Sequence, residues 1–143
     1  DDRRAVVEGL RDGTIDAIAS DHAPQDQESK RLPFASAASG GVGLEPLLPL
    51  WLELHPNGSV PLLRVLGALA QRPADMLRLP AGKLEPGLQA DFVIFDLDRP
   101  WRIAVDAFHS KCRNSPFDGR PVQGAVLRTV VAGRVIHSAE GAP

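Results

Sequence analysis

Ser20-Asp21-His22-Ala23-Pro24 is the densest grouping of reactive side chains in the chain. It follows Thr14–Ser20, a short run of small and branched residues that predicts a strand buried on both faces, as in a parallel sheet. A carboxylate placed directly after such a strand can ligate a metal or act as general base toward a metal-bound water. The same five residues also suit a plain turn, with Asp21 initiating it and His22 facing solvent. Other reactive pairs are thinner. His109 and Cys112 form a His-x-x-Cys pair, but a structural zinc site needs about four ligands and no second pair exists. His55 closes an apolar helical pattern and His137 closes a β-rich run, so one caps or faces water and the other is exposed. Trp51 and Trp101 are expected to pack, not to carry substrate.

The elements that must hold Asp21 follow from periodicity. Asp2 to Arg11 carries an apolar stripe at Ala5, Val6 and Leu10, and Gly13 stops it, so a helix precedes the strand. Residues 21–43 have no apolar period and predict a long loop at the C-terminal end of the strand, where α/β folds place their sites. Leu44 to His55 is strongly apolar and helical, and Pro56-Asn57-Gly58 ends it. A second helix is expected from about Pro61 to Gln71, and Pro73 opens a third, short one through Leu79. Beyond Pro80 the period becomes strand-like. Asp91 to Asp96 predicts a strand, Trp101 to Val105 alternates less cleanly, and Gly124 to His137 predicts a hairpin around Ala132-Gly133.

Composition prunes the functions available. The chain has 143 residues, 43% of them hydrophobic and 24% charged, which suits one soluble domain with a real core. With 16 Lys+Arg against 18 Asp+Glu and no dense basic stripe, nucleic acid is not the expected partner. The most apolar run, Val42 to Leu54, is interrupted by Glu45, Pro46, Pro49 and Glu53 and cannot span a bilayer. A single cysteine, Cys112, allows no intrachain disulfide, which fits a cytoplasmic location.

The stretch Asp12-Gly-Thr-Ile-Asp-Ala-Ile-Ala-Ser-Asp-His-Ala-Pro24 resembles the eighth barrel strand of class I dihydroorotases, in the amidohydrolase superfamily. The likeness continues through Gly40-Gly-Val-Gly-Leu-Glu45, Gly82–Asp96, Ser110–Gly119 and Thr129-Val-Val-Ala-Gly-Arg-Val135. Ser-Asp-His-Ala-Pro together with Asn114-Ser-Pro-Phe-Asp-Gly119 favours dihydroorotase over hydantoinase or allantoinase. The resemblance implies an α/β fold. Residues 1–80 would be the end of a (β/α)8 metal-dependent hydrolase barrel, with strand 8, the substrate loop and closing helices. Residues 81–143 would be part of a small β-sandwich domain. It also implies zinc, with Asp21 beside the metal as catalytic residue and metal ligand, passing a proton from the attacking water to the leaving ring nitrogen. Where the family usually has a His that contacts the substrate carboxylate, this chain has Gln25, which can hydrogen-bond but carries no charge. Ser39 and Gly40 match the pair that contacts the pyrimidine ring, with Ser in place of the family's Phe. Taken without the resemblance, Gly40, Gly41 and Gly43 equally suit a flexible turn.

The family's remaining zinc ligands, a His-x-His on the first strand among them, have no counterpart among the four histidines here. One αβ unit cannot close a barrel, and a catalytic zinc takes about three protein ligands. The expectation is therefore a piece of a chain about three times longer, inactive by itself, whose parent binds a small-molecule substrate. Such a parent would be a homodimer or stand in complex with aspartate transcarbamoylase. Two alternatives stay open: a non-catalytic scaffold for aspartate transcarbamoylase, and another cyclic amidohydrolase with a reshaped loop.

Overall fold

The structure is a computed structural model and describes residues 1–56 and 58–139. Its first element, α1 (Asp2–Asp12), buries Leu10 and ends at Gly13, whose φ of 97° is the left-handed conformation that a helix C-terminus favours. Asp12 then accepts the Thr14 N–H at 2.8 Å, which starts the chain into the next segment.

Thr14–Ser20 departs from the sequence expectation. It joins no ladder among the described residues: Ile18 is buried, Ile15 packs beside it on the first apolar cluster, and Asp16 and Ala19 are exposed. Its tie to the rest is the Ile18 N–H, which donates to the Ala68 carbonyl at 2.9 Å. A strand needs flanking strands to pair with, and the described residues supply none beside it.

The predicted loop holds one short helix, α2 (Gln27–Lys30). The apolar helix is shorter than its pattern, α3 (Leu47–Leu52). The two helices expected around Pro73 are one helical run: α4 (Leu62–Leu66), a π-helical turn at Gly67–Gln71, and α5 (Arg72–Met76). Pro73 lacks an N–H, and its ring would collide with a carbonyl four residues back in a regular helix. A wider turn just before it absorbs that conflict without breaking the run.

The β part is a three-stranded antiparallel sheet, β1 (Phe92–Arg102), β2 (Pro121–Val131) and β3 (Arg134–Ser138), in that order. Ala132 (φ 50°) and Gly133 (φ 74°) form the two-residue turn between β2 and β3, as expected. β1 runs past Asp96 and takes in Trp101, because a register shift between Asp96 and Pro100 lets an edge strand carry a proline.

Two apolar clusters hold these pieces. Leu10, Ile18, Val60, Val65 and Ala68 form the first, with Trp51 against it. Val42, Ile103, Phe108 and Val122 form the second, with Leu50 and Trp101 against it. The second draws Val42 and Leu50 from before residue 80 and its other members from after it. At about 1.5–3 kcal/mol per fully buried aliphatic or aromatic side chain, this cluster fastens the loop carrying Val42 to the sheet. Both tryptophans pack as expected, and the Trp101 Nε1–H donates to the Gly124 carbonyl at 3.0 Å. Among the described residues no helix is long and apolar enough to cross a membrane.

Candidate functional site

Asp21 is exposed and sits at φ 47°, a left-handed backbone that Asp tolerates better than most side chains. Immediately after it the chain lies against the glycine loop. His22 and Gly41 form a parallel bridge, and the Ala23 N–H donates to the Gly41 carbonyl at 3.0 Å. Asp21 and Gln25 therefore flank one side of this contact, while Ser39 and Gly40 lead into the other.

His22 is half-buried and tied down, which replaces the expectation that it faces solvent as part of a plain turn. Its Nδ1 accepts the N–H groups of Gly43 and Leu44, both at 3.3 Å. A ring nitrogen that accepts carries no proton, so in the neutral ring the proton sits on Nε2.

The glycines of the loop are demanded by close approach. A Cβ on Gly40, which has φ 106°, would lie 2.7 Å from both the Cβ and the carbonyl oxygen of Ala23. One on Gly43 would lie 2.8 Å from the Ser20 carbonyl oxygen. No Cβ fits at such distances, so this loop packs its backbone directly on the Ser20–Ala23 segment.

Three side chains from outside the loop fix its course. The Lys30 Nζ donates to the Ala38 and Gly40 carbonyls at 2.8 and 3.0 Å. Lys30 ends α2, which Asp26 caps by accepting the Ser29 N–H at 2.8 Å. That bond, with the Ser29 hydroxyl, holds the Asp26 carboxyl below its ordinary pKa. Asn114, 74 residues from Gly40, donates from Nδ2 to the Gly40 carbonyl at 3.3 Å and accepts the Gln25 N–H at Oδ1 at 3.4 Å. Its main-chain carbonyl accepts the Val42 N–H at 2.9 Å. Glu45 closes the far side: its carboxylate accepts the N–H groups of His109 and Ser110 and the Ser110 hydroxyl, at 2.9, 3.0 and 2.8 Å.

Gln25 is half-buried and opens on a cleft of about 440 Å³ that Lys30, Arg31, Lys111 and Arg113 also line. Asp26 is the one carboxylate in that lining. The glutamine brings no charge, yet its surroundings suit an anion. Ser39 is exposed beside Gly40.

Asp21 has no companions for a metal here: among the described residues no group of three or more His, Cys, Asp or Glu could hold an ion. His109 and Cys112 do not form a centre either. They are in no group of three or more possible ligands among the described residues, and Cys112 packs on the second apolar cluster. The sequence marks Asn114 only as the first residue of a family-like motif, with no role of its own. The signal for more was its motif, Asn114–Gly119, which carries the dihydroorotase likeness alongside Asp21.

An exposed carboxylate thus stands one residue before a main-chain contact with a glycine loop that Asn114 also holds. Residues 1–136 match the Amidohydrolase family, and the chain belongs to it. The dihydroorotase of Wolbachia sp. subsp. Drosophila simulans is 53% identical over 138 residues, covering 96% of this chain and 31% of that protein. That of Anaplasma phagocytophilum is 52% identical over 140 residues, covering 98% of this chain and again 31% of the relative. The chain thus spans about a third of the length of the curated relatives it matches. Among solved structures, the L-hydantoinase (dihydropyrimidinase) of Arthrobacter aurescens superposes with a TM-score of 0.87 at 34% identity, covering 93% of this chain and 31% of that one. The dihydropyrimidinase of Brevibacillus agri superposes with a TM-score of 0.89 at 23% identity, a likeness of fold.

Proposed function

We propose that these residues are the C-terminal part of a dihydroorotase, which interconverts dihydroorotate and N-carbamoyl-L-aspartate. The observation that carries this reading is the exposed Asp21 carboxylate at the head of a contact with the glycine loop that bears Ser39 and Gly40. In the ring-opening direction the Asp21 carboxylate takes a proton from water. The water oxygen bonds to the ring amide carbon, the carbon–nitrogen bond breaks, and Asp21 returns the proton to the departing nitrogen. Gln25, in its cationic cleft, and the Ser39–Gly40 pair hold the anionic ring substrate. Residues 1–80 then end a (β/α)8 barrel and residues 81–143 contribute to a β-sandwich domain of a cytoplasmic enzyme.

Zinc is the metal such an enzyme would carry, with Asp21 as one ligand. The described residues do not make that site by themselves, so the other ligands belong to parts of the protein outside this chain.

The test is turnover of dihydroorotate by the full-length protein, wild type against Asp21→Asn. Asn keeps the side-chain shape and tolerates φ 47°, so the melting temperature should stay within about 2 °C while turnover falls at least a hundredfold. Turnover that survives the substitution removes Asp21 from the chemistry. Hydantoin opened in place of dihydroorotate moves the reading to a hydantoinase, which the 34% identity to L-hydantoinase makes the natural second choice. Neither substrate opened, with stable association to aspartate transcarbamoylase, identifies a non-catalytic scaffold.

A further inference from the structure

Asn114 lies far from Asp21 in sequence, and nothing in the chemistry above uses it. Its position is nonetheless particular. The side-chain amide spends both ends on the two segments that bear the candidate substrate contacts: Oδ1 on the Gln25 N–H and Nδ2 on the Gly40 carbonyl. Its own main-chain carbonyl takes the Val42 N–H at 2.9 Å. The residue also sits in the walls of two adjoining clefts, the one that Gln25 lines and one that Gly40 and Gly41 line. The Gly40 carbonyl's second donor is Lys30, on a long flexible side chain, while the Ala23 N–H and the His22 Nδ1 hold the loop at Gly41 and Gly43.

We propose that Asn114 is a positioning residue for substrate binding: it clamps Gln25 and Gly40 at one fixed separation, so that the two segments present their contacts to the same ligand. This rests on the dihydroorotase reading of Asp21, Gln25, Ser39 and Gly40. A primary amide suits the task because it donates at one end and accepts at the other, in a plane, across one short side chain. A carboxylate in its place still accepts from Gln25 but turns a second oxygen toward the Gly40 carbonyl. Alanine loses both bonds and leaves the main-chain bond to Val42 intact.

The clamp acts on where substrate is held and not on the proton transfer at Asp21, so its loss should appear in KM. In the full-length enzyme, Asn114→Ala should raise KM for dihydroorotate about tenfold with kcat within about twofold, and Asn114→Asp should raise KM at least as much. Ser110→Ala is the control for a purely structural seam. It cuts the Glu45–Ser110 hydroxyl bond that joins the same two parts of the chain without touching Gln25 or Gly40, so it should lower the melting temperature and leave KM unchanged. Amide hydrogen exchange at Gln25 should quicken in Asn114→Ala and stay near the wild-type rate in Asn114→Asp, which keeps the acceptor. If both Asn114 variants merely copy Ser110→Ala, with lower melting temperature and wild-type KM, the clamp is overturned. If the wild-type enzyme fails to open dihydroorotate, it is the functional reading that falls, and the exchange rates at Gln25 still decide whether Asn114 holds that segment.

Discussion

Glu45 offers the sharpest test of how the two parts of the chain are joined. Its carboxylate receives three hydrogen bonds from the segment His109–Ser110, two from main-chain N–H groups and one from a hydroxyl, all at 3.0 Å or less. Hydrogen bonds to an ionised partner contribute about 1.5–3 kcal/mol each. Three would total roughly 5–9 kcal/mol if independent, but the site is half-exposed and water replaces part of what is lost, so about 2–4 kcal/mol is expected. The substitution to make is Glu45→Gln, which preserves shape, removes the charge and turns an NH2 toward one of the two N–H donors. Its pH dependence has a definite sign. Burial pushes the Glu45 carboxyl upward, but the N–H groups of Ser110 and His109 and the Ser110 hydroxyl outweigh it, and the folded pKa lies below the ordinary 4.5. A carboxyl lowered by folding stabilises the folded state fully above its unfolded value, and that contribution fades as the pH falls through the folded one. Urea denaturation of the full-length protein should therefore show a gap of about 2–4 kcal/mol between wild type and Glu45→Gln at pH 7. The gap should hold down to about pH 5 and shrink below about pH 4.5. A gap under about 1 kcal/mol at pH 7, or one that widens on acidification, would refute the carboxylate's role as the joint.

Three other substitutions probe separate features. Gly124→Ala places a Cβ 2.5 Å from the Leu52 Cδ1 at a φ of 93°, so it should cost about 2–4 kcal/mol in urea denaturation; a neutral result would mean α3 and β2 can part freely. Arg64 donates to the Leu10 and Ile15 carbonyls, both at 2.6 Å, and joins α1, the following segment and α4. Arg64→Met should destabilise by about 2–3 kcal/mol and speed proteolysis within residues 1–15, and unchanged cleavage would argue against it. Arg120, exposed, pairs with the half-buried Glu53 through two bonds, at 2.6 and 3.2 Å, so Arg120→Ala should cost about 1 kcal/mol, less in 0.5 M salt; a larger, salt-insensitive loss would contradict a water-accessible pair.

Much of this protein could be read before any fold was known, because the governing effects are local. The stop at Gly13, the two-residue turn at Ala132-Gly133 and the change of period near residue 80 depend on backbone freedom and alternation over a few residues. The carboxylate at Asp21 was legible too, since a reactive group after a branched-residue run needs only its neighbours to stand out. Tertiary structure decided what no window of sequence contains. Thr14–Ser20 has strand composition, but pairing needs partner segments, and among the described residues it is held instead by Ile18, buried between helices. Pro73 looked like the start of a helix and instead lies inside one, because a π turn spreads its conflict over the preceding residues. His22, expected in water, spends its Nδ1 on two N–H groups that arrive from more than twenty residues away. Asn114 joins Gln25 to Gly40 across 89 and 74 residues. Side-chain chemistry is written in the chain itself, whereas the partner of each donor and acceptor is chosen only when packing brings distant segments together.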